Sequence, residues 1–545
     1  MKKILSKILL VIVCICCLFL IVAGCLVLAP GFSILGVCYI RSTSGSVNQS
    51  FSKYCASSEF ENVVVNANNI PIYVVFAQNY DANCDLIERY NGFTKTLETP
   101  HLTMDASTKD LTFNCFEYEP FIYHNRHDDS GLYLYVPEYF TGGVIVNSVK
   151  SDVVVTGLIG VSTYLEINTN GDVIVENNLS TKDFSIDCGN GNLKIEKGCT
   201  ITGDLTIKTT TGDAEVKCPI GGQLTFKTEN GKLNFNSCKS LNVTAKRGGV
   251  GPITDEDIKE AIVETNANIK CNGDVKISVK GDATIDSKNG NIVLGKEGEF
   301  YNSHLNLTTK GGDIDLPGDY KKLDNKIVSD SGNIKINKIM GATILCDHGY
   351  VEIKQCSTLN LENGSADAKI MSIIVTANIT SRGGKIEIGE EDTDVYGILD
   401  IKTFGGEINL KNVKSGAVTA TTESGNINIE NNPNTETVMD LKSKRGDISV
   451  KDVNAKTNIE TRGSVNINIY KFNAPVTING RNGSINVVLN SFGYLDLQSK
   501  RKKVIKAPGL EKKTKEYITK KDGDDPLNLL TIKTHRGKIS VVEQY

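Results

Sequence analysis

His124, His127, Asp128 and Asp129 stand together in "HNRHDD". Two imidazoles three residues apart, flanked by carboxylates, are the residue types that hold a divalent ion on a turn. No matching ligand cluster occurs elsewhere, and Gly131 follows as in an ordinary polar loop. A loop without an ion is the reading adopted. "DGDD" at Asp522–Asp525 has calcium-type carboxylates but lacks the spaced oxygens and distal Glu of a calcium loop. It reads as a solvated turn. The chain has 15 cysteines, and no paired CxxC metal pattern is present. Cys199, Cys218 and Cys238 follow the glycines of three successive repeats at similar distances. They read as small apolar fillers of a corner, with a disulfide between two of them as the alternative if the repeats stack. No cofactor or metal is expected.

The densest charge cluster is basic. Lys500, Arg501, Lys502, Lys503, Lys506, Lys512, Lys513 and Lys515 fall within sixteen residues, opposed only by Glu511. Such a cluster would attract anionic wall polymers or lipid headgroups, at about 1 kcal/mol per residue close to a membrane. The competing reading is a hydrated loop with no specific contact. The formal charge of the chain is −4, so nothing argues for nucleic acid as a partner.

The elements that must carry these residues are set by a repeat. "LDIKTFGGEINLKNV", "VTATTESGNINIENN" and "MDLKSKRGDISVKDV" are three consecutive versions of one unit of about twenty residues. The repeat glycines run Gly171, Gly191, Gly212, Gly231, Gly249, Gly273, Gly290, Gly312, Gly332 and Gly349. They continue through Gly364, Gly384, Gly406, Gly425, Gly446, Gly463 and Gly483, then resume at Gly537. Ser151 takes the glycine's place in an earlier copy, and Gly249 and Gly364 fit least well. Apolar residues lie seven and five before the glycine and two and four after it. Thr, Ser or Cys lies three before it in most copies. Alternation by twos predicts a strand on each side. The phase resets across the glycine, where a turn with positive φ is expected.

Seventeen hairpins in one open sheet would need far more than the roughly ten strands such sheets tolerate. Propeller blades would need a repeat of about 40 residues. A solenoid needs one coil per repeat, with equivalent residues stacked at about 4.8 Å. The expected fold is therefore all-β: a β-solenoid, a single-stranded β-helix of about seventeen coils, with the Thr/Ser/Cys position as an inward ladder. Residues 41–140 read as a degenerate β capping region, because a bare terminal coil would expose strand edges. Residues 141–545 hold the repeats, with insertions at 250–268 and 491–529. In the first insertion, Thr254 as a cap with Ile258, Ala261 and Ile262 at helical spacing predicts a short helix over Pro252–Glu264.

Residues 1–40 read as an N-terminal anchor. Lys2, Lys3 and Lys7 precede a run without charge, Ile8 to Ala29, long enough for one transmembrane helix. The basic flank predicts a cytoplasmic N-terminus and a single-pass chain with its bulk outside the cell. "VAGC" at Val22–Cys25 offers a lipid anchor at Cys25 as the alternative, and cleavage with simple secretion is a third.

The stretch "LYLYVPEYFTGGVIVNSVKSDVVV" and the repeated "T-x-x-G-D/N-I-x-V" units after it resemble the bacterial putative-adhesin family of membrane-anchored β-solenoid proteins, a domain of unknown function. The resemblance covers roughly residues 130–545 and brings no catalytic residues with it. It implies a non-enzymatic surface protein that contacts envelope polymers, other cells or a surface protein. Two other readings are an envelope-associated sensor or accessory component acting with a membrane partner, and a polysaccharide-active β-helix enzyme. The last needs a carboxylate pair across the scissile bond, and no copy departs from its neighbours to supply one.

Overall fold

The computed structural model describes residues 32–34, 38–55, 60–78, 81–94, 101–107, 109–116, 123–126, 130–157, 163–176, 178–254, 260–390, 394–414, 416–431, 437–471, 473–490, 494–500, 505–506, 517–520 and 529–544. Among them every regular element is a strand. The chain forms two compact units, one of residues up to Ala245 with Ile253–Lys259, the other of Lys246–Pro252 with Glu260–Tyr545.

Within each unit the repeats stack as the alternation requires. Ile398–Thr403 and Ile408–Val413 form one coil. Leu399, Ile401, Ile408 and Leu410 are buried, while Lys402 and Lys411 face solvent. Each strand pairs in parallel with its equivalent one coil on: Leu399 with Val418 and Ile408 with Ile427. The pattern recurs from Tyr164–Asn168 onward in the first unit and to the carboxy-terminal coil in the second. Parallel in-register stacking makes this a β-solenoid and not a set of hairpins. Burying each Leu or Ile contributes on the order of 1.5–3 kcal/mol, and a coil gains that only when a neighbour covers it.

Two side-chain columns hold the turns. Thr or Ser three before the glycine points inward, as expected, and accepts the glycine N–H: Gly212 to Thr209 at 2.8 Å, Gly332 to Ser329 at 2.9 Å, Gly446 to Ser443 at 2.9 Å. The hydroxyl can donate onward to the glycine carbonyl one coil back, as Ser443 does to Gly425 and Thr461 to Gly446. The Asp or Asn after the glycine accepts the N–H of its counterpart in the next coil. Asn291 N–H donates to Asp274, Asp313 to Asn291, and Asn333 to Asp313, all at 2.7–2.8 Å. Orphan backbone donors at the turn are thereby satisfied along the stack.

The repeat glycine is required for a different reason from the one expected. Only Gly248 and Gly349 in this column have positive φ. The others lie directly on the carbonyl of the glycine one coil back. A Cβ at Gly332 would sit 1.8 Å from Gly312 O, and one at Gly425 1.9 Å from Gly406 O. Close backbone stacking therefore excludes a side chain. The two poorest copies are also re-registered: Gly248 holds the column where Gly249 was assigned, and Ala366 where Gly364 was.

The helix expected over Pro252–Glu264 is absent where the chain is described. Val250–Pro252 and Ile262–Val263 are strands, the latter pairing in parallel with Ser278 and Val279. β-Branched residues suit that pleated position, and residues 255–259 lie outside the described set. The stack also begins before residue 141. Asn62–Ala67 and Ile72–Ala77 pair in parallel with Gly143–Ser148 and Val153–Gly157 on one side. On the other side they pair with Asp110–Phe116 and Gly131–Pro137. Antiparallel strands, Cys38–Tyr54 on Asp81–Thr94 and His101–Ala106 on Asp110–Phe116, cover the edge.

The segment Ile8–Ala29, expected from its sequence to span a membrane and containing Cys25, lies outside the described residues. Among those described, no helix is long and apolar enough to cross a membrane.

Candidate functional site

The carboxy-terminal coils do not stack in chain order. The last strands, Leu529–Thr534 and Ile539–Glu543, pair with Val476–Gly480 and Ile485–Leu489 on one side. On the other they pair with Tyr494–Ser499 and Ile505–Lys506, which come earlier in the chain. The final repeat is thus held between two coils, and Lys500 is brought beside it.

This arrangement builds a groove of about 850 Å3 on the second unit. Its floor follows the buried column Thr422, Ser443, Thr461 and Thr534, with Gly480 at the rung where its neighbours carry a hydroxyl. One wall follows the register Thr421, Lys442, Glu460, Asn479, Lys533. The other is one residue further along each coil: Glu423, Lys444, Arg462, Arg481, His535 and Lys500. Six Lys and Arg therefore line the groove against two Glu. Lys444 is paired with Glu423, and Lys442 with Asp440 at 3.0 Å. Arg462, Arg481, Lys500 and Lys533 are exposed and make no ion pair among the described residues.

Of the basic residues singled out from sequence, Lys500 lines this groove, and Lys506 lies in the strand Ile505–Lys506. Arg501, Lys502, Lys503, Lys512, Lys513 and Lys515 lie outside the described residues. Arg462, Arg481, Lys533 and His535 were missed because each is an isolated charge in the linear sequence. The available signal was vertical: "SKRG", "TRG", "GRNG" and "THRG" put a cation beside the turn in four consecutive late copies, a longer run than "SKNG" and "TKGG" make earlier in the chain.

Nothing else described is arranged for chemistry. His124 lies in the strand Tyr123–Arg126, and His127, Asp128 and Asp129 are outside the described set, as is "DGDD". No group of three His, Cys, Asp or Glu that could hold a metal occurs among the described residues. The ten described cysteines are buried and form no disulfide with one another. Burial pushes the Cys199 thiol up to about 11 and the Cys218 thiol up to about 12, so both are poor nucleophiles near neutrality. Tyr301 is raised to about 12, chiefly by burial. Its hydroxyl bonds Ser278 at 2.9 Å and Glu299 at 2.7 Å, and accepts the Lys296 N–H at 3.0 Å. That cluster ties down the turn after Leu294.

The family model described as Toastrack DUF4097 matches residues 61–317 and 270–542. No curated protein matches the chain. A crystal structure of a putative cell adhesion protein from Clostridium sporogenes is 11% identical, and the match covers 56% of this chain and all of that one. Its TM-score is 0.15, too low to carry an argument.

Proposed function

The chain belongs to the Toastrack DUF4097 family, and from that premise we propose that it is a non-enzymatic surface protein. In this reading residues 1–40 anchor it in the cell membrane by a single pass, and the coils are displayed outside to contact anionic envelope polymers. The observation that carries the reading is the groove lined by Arg462, Arg481 and Lys500 on one wall and Lys533 on the other. Exposed like charges beside one another are unfavourable on a sheet, and an anionic partner removes that cost. Non-enzymatic action is supported by the groove carboxylate Glu423, which is engaged by Lys444.

Protease added to intact cells producing the full chain tests the display. Digestion of the coils with retention of the N-terminal segment in the membrane fraction is the expected result. Protection of the coils until the cells are opened would overturn the reading.

A further inference from the structure

The groove has a direction, and that direction narrows its ligand. Glu423, Lys444, Arg462, Arg481, His535 and Lys500 are equivalent positions on successive coils. The register one residue before them runs Thr422 to Ser443, Ser443 to Thr461, Thr461 to Gly480, Gly480 to Thr534, and Thr534 to Ser499. Backbone bonds carry the same ladder onward: Arg481 N–H donates to Thr461 O at 2.9 Å and Lys500 N–H to Thr534 O at 3.2 Å. With about 4.8 Å between coils, Arg462, Arg481 and Lys500 form a file along the stacking direction. Lys533 stands on the opposite wall.

A single phosphate or carboxylate would meet only one or two of these cations. A chain of anionic groups lying along the file would meet all of them in turn. Arginine also suits such a ligand, since its planar fork takes phosphate or carboxylate oxygens two at a time. The cations are supplied by neighbouring coils, so their spacing is fixed by the ladder and needs little ordering on binding.

We propose that this groove binds a linear polyanion aligned with the stacking direction, its charges read by Arg462, Arg481, Lys500 and Lys533. The proposal rests on the surface-contact reading and adds the ligand class and its orientation. The shared chemistry is a regular row of anionic oxygens, which a phosphate polymer or an acidic polysaccharide can both supply.

The test uses the full chain purified in detergent, titrated with inorganic polyphosphate, polygalacturonate, monomeric phosphate and monomeric galacturonate at several salt concentrations. One or both polymers bind and the monomers do not. Polyphosphate alone assigns a phosphate polymer, and polygalacturonate alone an acidic polysaccharide. The R462Q/R481Q/K533Q variant loses on the order of 30-fold in polymer affinity, with a shallower dependence on salt because fewer counterions are released. The K194Q/K217Q variant, which removes cations paired with Glu196 in the first unit, leaves binding unchanged. Thermal unfolding run alongside shows that each variant is folded. Equal binding by the triple variant, monomers that bind as tightly as polymers, or no binding by either polymer overturns the proposal. Display outside the cell is read by protease and not by this titration, so failure of one leaves the other result standing.

Discussion

The coils between Asp367 and Val453 and those between Thr457 and Thr534 share one interior and differ in how they treat charge. In the first group several outward lysines are answered by neighbouring carboxylates, while the exposed Lys411 and Arg382 make no ion pair among the described residues. Lys369 pairs with Glu390 at 2.5 Å, Lys402 with Asp400 at 2.8 Å and Lys451 with Glu430 at 3.3 Å. Lys385 is similarly paired with Glu387. In the second group Arg462 and Arg481, on the file of Arg382 and Lys444, and Lys533, in the register of Lys442, are without such partners among the described residues. A solenoid that needed only solubility would continue the mixed pattern. The adjacent unpaired cations Arg462 and Arg481, with Lys500 and Lys533 lining the same groove, mark where an external anion would supply the missing carboxylates.

The comparison assumes that both groups are the same structure inside, and that premise can be broken most severely at a glycine. Gly332 stacks on Gly312 so closely that a Cβ would lie 1.8 Å from its carbonyl oxygen, whereas a Cβ at Gly383 would meet nothing within 4 Å. Gly332→Ala is expected to cost about 3 kcal/mol, at the upper end for overpacking, and Gly383→Ala less than about 0.5 kcal/mol. Urea unfolding followed by circular dichroism measures both. Equal costs would show that the column is not what fixes the coil.

A smaller effect is expected one residue past the glycine. The Asp313 carboxylate accepts the Asn333 N–H at 2.7 Å, and Asp313→Ala leaves that donor without its partner. About 1 kcal/mol of stability should be lost, the ordinary net worth of one such bond, in the same urea experiment. Asp313→Asn retains an acceptor and should recover most of it. No recovery would mean that charge, not the hydrogen bond, is what the ladder uses.

How far the sequence shows all this depends on whether a feature is local. Leu399, Ile401, Ile408 and Leu410 are legible because alternation by twos is imposed within a single strand. The inward Thr209 and Ser443 follow from the same phase. The reason for glycine is not local, since it lies in the carbonyl of another coil about twenty residues away. Ala366 in place of Gly364, and Gly248 in place of Gly249, are invisible for the same reason. The chain ends were hardest to read. Asn62–Ala67 lies between strands of residues 110–116 and 143–148, and Leu529–Thr534 between strands of residues 476–480 and 494–499. No periodicity encodes such an order. The groove depends on it directly, because Lys500 and Lys533 become neighbours only when the final repeat is inserted.

The finest test of the comparison makes the late coils resemble the earlier ones. Arg462 stands between Lys444 and Arg481 on the file, so Arg462→Glu would restore alternating sign. Opposite charges on neighbouring strands contribute roughly 0.2–1 kcal/mol and like charges cost a similar amount. Exposure and salt screening hold such effects to the lower part of that range. The variant should therefore be more stable by about 0.5 kcal/mol at low salt, with the gain fading as salt is raised, while binding polyphosphate more weakly than wild type. Gain and loss in one substitution would mean that the file is kept unpaired at a cost to the fold and for the benefit of binding. A variant less stable than wild type would mean that the cations do not repel one another, and the absence of carboxylates beside them would then need another cause.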